Sequence, residues 1–234
     1  MLDARDAADM NRGMFAVLFE VQIKPWEWDR YLELAATLRP ELVKVPGFIH
    51  NERYSSERTE CRLLSVSLWE SEKAVVRWRT HGLHHEVQDL GRFEVFDDYH
   101  LRVGEVIADS ASGELRATRS DVTEVGVAKA VTMTEVEPGE ECPQSPRPSA
   151  DVVDTEHYTG ITTEGKRLLL ASWRTEERAD AWLAEQPAGP RYRQVRIVRD
   201  YGLRDRAEAP QYFAPVEAGS ARESPGEPSM APWT

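Results

Sequence analysis

The amino-acid sequence predicts an α+β fold in which two β-α-β-β-α-β units follow one another and pack sheet against sheet. Three observations support this prediction. Two similar tryptophan-containing stretches lie 104 residues apart (173 − 69 = 104), strand and helix patterns surround each of them, and the second unit lacks the pattern of its first helix. The chain has 234 residues, which is enough for two small units.

The first observation is the repeated stretch. Residues 69–78 read WESEKAVVRW and residues 173–182 read WRTEERADAW, so each begins and ends with tryptophan. The same separation of 104 residues aligns three more pairs: Glu52 with Glu156, Tyr54 with Tyr158, and Leu64 with Leu168. A separation of 102 residues aligns two Asp-Tyr-x-Leu-Arg motifs, at 98–102 and 200–204. Because these matches occur in the same order in both stretches and at nearly the same separation, they indicate an internal duplication.

The first copy contains the patterns of all its elements. Four stretches have the β-branched or alternating pattern of strands: 14–23, 48–56, 62–69 and 93–106. A helix is predicted over 27–44, where apolar residues recur at three- and four-residue spacing, and Pro46-Gly47 ends it. Ser71 caps a helix through Trp78, and a second short helix ends before Gly91. This order is that of a ferredoxin-like unit.

The second copy is predicted to be a reduced unit. Its strands are expected at 127–136, 155–162, 167–173 and 194–203. One helix is expected over 175–185, capped by Thr175. The segment that would contain the other helix includes CPQSPRPS at 142–149, whose prolines remove backbone donors and prevent a helix.

The two copies are expected to cover one another. Helices protect only one face of an antiparallel sheet, so the other face needs a partner sheet, which a tandem copy supplies at high effective concentration. We therefore expect a complete repeat at 14–107, a linker at 108–126, a reduced repeat at 127–206 and a Pro/Ala/Glu-rich tail at 207–234. The tail composition predicts disorder, although its Tyr212 and Phe213 are candidates to dock on apolar surface.

Composition limits the partners. The formal net charge of −12 and the pI of about 5.1 disfavour nucleic acid and anionic membrane surfaces. No apolar stretch is long enough to span a bilayer, and residues 1–13 are polar, unlike a signal peptide. Cys61 and Cys142 form no disulfide framework, so we expect two reduced thiols in a cytoplasmic protein.

Four motifs of the first copy resemble the antibiotic biosynthesis monooxygenase domain of the dimeric α+β barrel superfamily: PGF, LLSVSLWESEKAVVRW, HGLHHEVQDLGR and DDYHLRV. The resemblance covers 14–107 well and 127–205 faintly. It implies two ferredoxin-like units packed into a barrel, each with a cavity between its sheet and its helices. Here both units would come from one chain, as an intramolecular dimeric α+β barrel. We therefore expect a monomeric pseudo-dimer or a weak homo-oligomer.

The resemblance places a run of histidines beside the cavity. His84 aligns with a histidine common in the family, and imidazole is suited to acid–base work near neutral pH. The same run also fits capping and surface histidines around a helix break, especially at His81 and His85. The catalytic candidates are His84 as proton acceptor or donor, and Asn51 and Arg92 to orient an oxyanion. The substrate-binding candidates are Phe19, Tyr54, Trp69, Trp78, His81, His85, Phe96 and Tyr99.

The two tryptophans have a second interpretation. Trp69 and Trp78 recur in the second copy, whereas the histidines do not. Recurrence without the histidines favours a packing role for these indoles. The absence of the histidines from the second copy also indicates that the site lies in the first.

A metal site and a haem site are both alternatives. His81 and His85 are four residues apart and would need a third ligand, such as His50, His100 or Glu86. Haem-degrading members of the superfamily use an asparagine, a tryptophan and a histidine, where Trp78 matches but Phe19 and Gln88 stand at the other two positions. We expect neither group, unless His84 or His85 replaces the axial ligand.

The resemblance implies a cofactor-independent oxygenase that acts on an aromatic or polyketide-like small molecule in secondary metabolism. The sequence contains no GxGxxG or GxxxxGK[ST] motif, so no cofactor is expected. Two alternatives remain on the same fold: a non-catalytic protein that binds a small molecule or a partner, and a cyclase or isomerase.

Overall fold

Strands dominate the computed structural model, which describes residues 13–114 and 119–210. The expectation for Tyr212 and Phe213 lies outside these residues. The strands are β1 (Met14–Ile23), β2 (Phe48–Ser56), β3 (Arg62–Trp69), β4 (Phe96–Asp109), β5 (Gly113–Glu114), β6 (Ala130–Val136), β7 (Val152–Gly160), β8 (Arg167–Trp173) and β9 (Arg191–Gly202). The α-helices are α1 (Trp28–Leu42), α2 (Glu72–Arg79), α3 (Gly82–Leu90) and α4 (Glu176–Ala184).

The connection from α3 to β4 differs from the expected strand at 93–106. A π-helical turn, Gly91–Val95, continues α3, and β4 begins only at Phe96. Gly91 keeps a helical conformation, with φ −55° and ψ −51°, so the helix does not stop there. Arg92 and Val95 in this turn are buried, so the turn packs against the rest of the first half.

Eight strands close into one antiparallel barrel. Their order is β1-β3-β2-β7-β8-β6-β9-β4, and β4 pairs back onto β1. The short β5 only extends the end of β4. Within each half the pairing is the same, because β1 lies between β3 and β4 and β6 lies between β8 and β9. The fold is therefore α+β, with a barrel-like sheet and helices outside it.

Two seams join the halves. The seam between β2 and β7 is centred on Ser55 opposite Thr159, two positions that are 104 apart (55 + 104 = 159). The seam between β4 and β9 pairs His100 with Gly202, which are 102 apart (100 + 102 = 202). These separations are the ones that align the repeated motifs in the sequence. A two-fold relation between the halves would produce this register.

The barrel interior combines an apolar core with two buried polar clusters. Leu18, Leu64, Met133 and Leu168 are among its fully buried side chains. The hydroxyl of Tyr54 donates to Glu135 at 2.9 Å, and the hydroxyl of Tyr158 donates to Glu20 at 2.9 Å. A buried arginine also donates to each carboxylate: Arg193 to Glu135, and Arg102 to Glu20. Each half thus supplies the tyrosine for the other half's glutamate, which satisfies charges that burial would otherwise penalise.

The outer faces of the two halves are covered differently. Helices α1, α2 and α3 cover the sheet of the first half, while α4 lies against the second half. In the described residues between β6 and β7 there is no helix. The first half therefore has a deeper layer outside its sheet, and the cavity described below lies in that layer.

Candidate active site

A cavity of about 210 Å³ lies between the outer face of the first-half sheet and helices α1, α2 and α3. An apolar cavity of about 150 Å³ is known to hold a benzene molecule, so this space suits a somewhat larger small molecule. Its walls are mainly apolar and aromatic, and they include Phe19, Leu34, Leu38, Trp69, Trp78 and Phe96.

Aromatic rings shape the two ends of the cavity. At one end the ring of Phe96 contacts Phe19 at 5.8 Å and Tyr99 at 6.3 Å between centroids. At the other end the indole of Trp78 stacks on His84 at 4.3 Å with an interplanar angle of 13°. Trp69 and Trp78 both line the cavity, so the packing role inferred from their recurrence does not describe them fully.

The floor of the cavity is polar. Asn51, Ser65 and Ser67 project from β2 and β3 on the face that points to the helices, because side chains alternate along a strand. The corresponding positions of β8 in the second half are Leu169 and Ala171 (65 + 104 = 169, 67 + 104 = 171), which are buried and apolar. The two floor serines therefore distinguish the first half, whereas β6 of the second half brings the buried hydroxyls of Thr132 and Thr134 to its outer face.

Asn51 is a hydrogen-bond acceptor toward the cavity. Its Nδ2 donates to Ser65 Oγ at 2.9 Å and to the Val66 carbonyl at 3.0 Å, which uses both amide protons. The buried Oδ1 has no hydrogen-bond partner among the described residues. As the amide is oriented, Asn51 has an acceptor to spare and no donor, which does not match the expected role in orienting an oxyanion.

His84 has one unprotonated ring nitrogen, which lies within hydrogen-bond distance of the Gln88 amide. Its Nδ1 lies 2.9 Å from the Trp78 carbonyl, which can only accept, so Nδ1 carries the proton and Nε2 does not. Burial lowers the pKa of His84 to about 4. The imidazole is therefore neutral near pH 7, and of its two expected roles only that of proton acceptor fits this geometry. The Gln88 amide nitrogen lies 3.5 Å from Nε2.

Arg92, Tyr99 and Arg206 form a cluster at another part of the cavity wall. Both guanidinium groups donate through Nη1 to the Tyr99 hydroxyl, at 2.8 Å from Arg92 and 2.6 Å from Arg206. Arg92 is 3% exposed and belongs to the π-helical turn, whereas Arg206 comes from the segment after β9. Burial lowers the pKa of Arg92, and the positive charge of Arg206 acts in the same direction.

The charges that line the cavity have one sign. Four arginines contribute to its described lining, Arg53, Arg79, Arg92 and Arg206, and no aspartate or glutamate does. Burial raises the pKa of the Tyr31 hydroxyl, and the nearby guanidinium of Arg53 offsets part of this rise. The chain as a whole carries a net charge of −12, so the positive lining is a local feature.

Most of the expected site residues are brought together. Eight of them line the cavity: Phe19, Asn51, Trp69, Trp78, His84, Arg92, Phe96 and Tyr99. Tyr54 was expected to bind substrate, and the structure corrects this. It lies one residue after Arg53 on β2, so its side chain points to the opposite face, into the barrel interior.

The expected roles of His81 and His85 in substrate binding are also corrected. Neither histidine lines the cavity. His81 precedes α3, where its ring lies 5.6 Å from the outer side of Trp78 and its Nε2 lies 4.0 Å from Glu41. His85 is exposed on α3. Of the three histidines, only His84 therefore faces the cavity.

Sequence reasoning missed several cavity residues. Ser65 and Ser67 alternate with Leu64, Val66 and Leu68 in LLSVSLW, which is a pattern typical of a strand with one solvated face. Here helices cover that face, so the two serine hydroxyls lie beside the cavity. Serines on a strand face that a predicted helix covers were the signal that could have identified them. Arg206 had no local signal, because it reaches the cavity only through the closure of β9 onto β4.

The arrangement does not favour a resident metal or haem. Within the described residues, no group of three or more His, Cys, Asp or Glu side chains could hold a metal ion. His84 Nε2 is the cavity imidazole nitrogen that could ligate an iron, but Gln88 lies 3.5 Å from it and would have to move. As placed, these residues do not fit a haem.

The fold and site together define an α+β barrel with a partly polar cavity outside one half of its sheet. A family model described as antibiotic biosynthesis monooxygenase matches residues 14–90. The chain is 37% identical over 222 residues to a protein named jasmonate monooxygenase ABM from Pyricularia oryzae, which covers 87% of this chain and 100% of that protein. The chain therefore belongs to the antibiotic biosynthesis monooxygenase family, and a monooxygenase-type function is supported.

Two further similarities are more limited. The Bacillus subtilis protein YqjZ, which is uncharacterised, is 30% identical over 92 residues, or 39% of this chain and 78% of that protein. The crystal structure of an aldoxime dehydratase in complex with butyraldoxime has a TM-score of 0.54 and 8% identity, over 81% of this chain and 80% of that chain. This second similarity concerns the fold alone. In the described part of the chain, none of the helices is long and apolar enough to cross a membrane.

Proposed function

We propose that this chain is a cofactor-independent monooxygenase that oxidises a small, mainly apolar molecule, aromatic or polyketide-like, in the first-half cavity. The observation that carries the proposal is the largely apolar cavity with the unprotonated Nε2 of His84 in its wall. The cavity lies largely within the segment that the family model matches. The name of the Pyricularia oryzae relative adds jasmonate to the substrates that deserve testing.

The chemistry balances when the substrate supplies all the electrons. An activated CH2 group loses a proton, and the resulting anion reduces molecular oxygen. One oxygen atom enters the product as C=O and the other leaves as water, so that CH2 + O2 gives C=O + H2O. The protein then has to bind the substrate, accept one proton and exclude bulk water.

His84 is the residue that we assign to proton acceptance. Burial lowers its pKa to about 4. A substrate anion formed beside the imidazolium would raise that pKa, because an opposite charge favours the protonated form. Asn51 Oδ1 accepts a hydrogen bond from a substrate hydroxyl, and Ser65 and Ser67 supply further polar contacts on the floor.

We also propose that the barrel arose by fusion of two copies of a ferredoxin-like unit, with the second copy reduced to a structural half. The seam registers at Ser55–Thr159 and His100–Gly202 support this, since both follow the sequence separations. The reciprocal Tyr54–Glu135 and Tyr158–Glu20 bonds support it as well.

The test of catalysis uses substitutions at equivalent places in the two halves. In the second half, Gln186 Nε2 donates to the Trp182 carbonyl at 2.9 Å, the counterpart of the bond from His84 to the Trp78 carbonyl. His84→Gln can therefore keep the structural hydrogen bond while removing the proton acceptor. We expect it to lower kcat on the order of a hundredfold, with little change in Tm. Oxygen uptake with polyhydroxylated aromatics and with jasmonate measures this.

Gln186→Ala is the matched control. It removes the equivalent hydrogen bond from the half without the two floor serines, so turnover should stay at the wild-type level. Full activity in His84→Gln would remove His84 from the mechanism. An equal loss in Gln186→Ala would show that both halves take part, and would contradict the division into a working half and a structural half.

A further inference from the structure

The two serines of the cavity floor are oriented as hydrogen-bond donors. Ser65 Oγ accepts from Asn51 Nδ2 at 2.9 Å, and Ser67 Oγ accepts from the indole Nε1 of Trp69 at 2.9 Å. The Asn51 amide cannot be reversed, because its Nδ2 also donates to the Val66 carbonyl, which can only accept. Within the described residues neither serine hydroxyl donates to an acceptor, so both protons remain for a ligand.

Both hydroxyl groups face the cavity. Ser65 and Ser67 line it and keep part of their surface accessible, whereas the alternate residues of β3 are buried on the other face: Leu64, Val66 and Leu68. An N–H group that donates to a hydroxyl oxygen also polarises that hydroxyl and makes it a stronger donor. The floor therefore presents two polarised O–H donors to a bound molecule.

The spacing of the donors defines what they can bind. Residues two apart on a strand are about 6.5 Å apart, so each hydroxyl reaches a different ligand oxygen. His84 lines the cavity from α3, on the wall opposite the sheet. A ligand between the two walls meets two donors on one side and one proton acceptor on the other.

The second half shows that the floor serines are not needed to satisfy an indole N–H. Its positions equivalent to Ser65 and Ser67 are Leu169 and Ala171, and there Trp173 Nε1 donates to Thr132 Oγ1 at 3.0 Å instead. Thr132 is fully buried and does not line the cavity. The first half thus differs in having hydroxyl groups where a ligand can reach them.

We propose that Ser65 and Ser67 are oxyanion donors and that the molecule oxidised in the cavity is a 1,3-dicarbonyl compound. Its two carbonyl oxygens match the two hydroxyls, and the CH2 group between them faces His84. Two flanking carbonyl groups make this CH2 far more acidic than one does, which suits a neutral imidazole as proton acceptor. The inference rests on the proposed function, because it names the substrate class and further residues of that reaction.

The reaction balances without another reactant. His84 accepts a proton from the CH2 group, and the electron pair of the broken C–H bond spreads over both oxygens as an enolate. The serine hydroxyls donate to these oxygens where the negative charge develops. The enolate then reduces molecular oxygen, so that CO–CH2–CO + O2 gives CO–CO–CO + H2O, and the proton held by His84 leaves in the water.

The test compares benzoylacetone with butyrophenone, which lacks the second carbonyl group. Binding is measured without oxygen by calorimetry, and the near-ultraviolet absorbance of benzoylacetone reports its ionisation. We expect wild-type protein to bind benzoylacetone at least about tenfold more tightly and to lower its pKa. Ser65→Ala and Ser67→Ala should each weaken benzoylacetone binding on the order of tenfold and raise the pKa of the bound diketone, with butyrophenone binding much less affected. Ser65→Thr should retain the wild-type preference, since it keeps a hydroxyl.

Thr132→Val is the matched control. It removes the hydroxyl that accepts from the equivalent indole in the second half, so it tests the loss of such a bond away from the cavity. We expect it to lower Tm, as Ser67→Ala does, and to leave the preference for benzoylacetone unchanged. Circular dichroism of all variants checks that they fold.

Several results would overturn the donor role. These are equal binding of the two ligands by wild-type protein, a preference that survives both serine substitutions, binding of neither ligand, and an equal loss of preference in Thr132→Val. Serine-dependent binding of the diketone without oxygen uptake in air would instead support the donors and contradict the oxygenase proposal. Oxygen uptake with polyhydroxylated aromatics that Ser65→Ala and Ser67→Ala leave unchanged would do the reverse.

Discussion

His84 shows how one residue obtains its chemistry from its surroundings. The Trp78 carbonyl fixes the proton on Nδ1, the stacked indole excludes water from one face, and burial disfavours the charged imidazolium. The second half keeps the tryptophan but replaces the histidine with Gln186, which makes the hydrogen bond and has no basic nitrogen. The two halves therefore differ in the proton affinity of the side chain that bonds to the equivalent tryptophan carbonyl.

This environment predicts a pH dependence of stability. The pKa of His84 is about 4 in the folded chain, while an exposed histidine has a pKa of about 6.5, so the unfolded chain binds this proton more readily. The contribution of neutral His84 is complete at neutral pH and is lost as pH falls from about 6.5 towards 4. We expect wild-type protein to lose about 2 kcal/mol of unfolding free energy between about pH 7 and pH 5 that His84→Gln does not lose.

Urea denaturation of both proteins at the two pH values measures the difference. The other histidines, including His50 and His100, are present in both proteins, so their contributions cancel in the comparison. An equal loss of stability in the two proteins would show that His84 is not buried in its neutral form.

Residues of the site could be predicted from the sequence only where local pattern and family resemblance agreed. His84, Arg92 and Trp78 lie in motifs that resemble the family, whereas Asn51 and Phe19 were proposed as polar and aromatic candidates of the first copy. Tyr54 was assigned to the wrong face of β2. The alternation of side chains along a strand separates two faces but does not show which one meets the cavity, and in a barrel covered by helices both faces are buried.

At the scale of elements, the π-helical turn Gly91–Val95 connects the helix that carries His84 to the strand that carries Tyr99. Single turns of π-helix are often found at functional sites, and this one contributes Gly91 and Arg92 to the cavity. The sequence predicted a helix stop here because glycine usually ends helices. The stop did not occur, since the missing Cβ serves the close approach of the Phe96 ring instead.

Gly91 provides the prediction for this element. A Cβ at Gly91 would lie 2.5 Å from Cε2 of Phe96, so Gly91→Ala must displace a ring that forms the cavity wall. We expect a change in stability below about 2 kcal/mol, because only a ring tip has to move, but a loss in kcat/KM on the order of tenfold or more. Oxygen uptake and thermal denaturation measure the two effects.

Gly82→Ala is its control, since a Cβ at Gly82 in the first turn of α3 meets nothing within 4 Å. Alanine there should raise stability by up to about 1 kcal/mol and leave turnover unchanged. If Gly91→Ala kept wild-type kcat/KM, the position of the Phe96 ring would not matter to the reaction.

At the scale of the whole molecule, the strand pattern predicted the elements well, while the contacts between halves could not be read from any local segment. The strand ends shifted by a few residues, as at β6, which begins at Ala130 and was expected from 127. The seams at β2–β7 and β4–β9 bring together residues about a hundred positions apart. Arg206 reaches the cavity only through the second of these seams, so its place in the lining could not be predicted from a local segment.

Closure of the barrel within one chain predicts that folding does not require a second molecule. In the described residues every one of the eight barrel strands has a partner on both sides, so no long edge is left to pair with another copy. The buried Tyr54–Glu135 and Tyr158–Glu20 bonds are likewise made within the chain. We expect a sedimenting species of 26.6 kDa at low concentration, or an assembly of intact barrels, and a Tm that is constant over about a hundredfold range of protein concentration. A Tm that rises with concentration would mean that strands are exchanged between chains, and the fused-dimer interpretation would then be wrong.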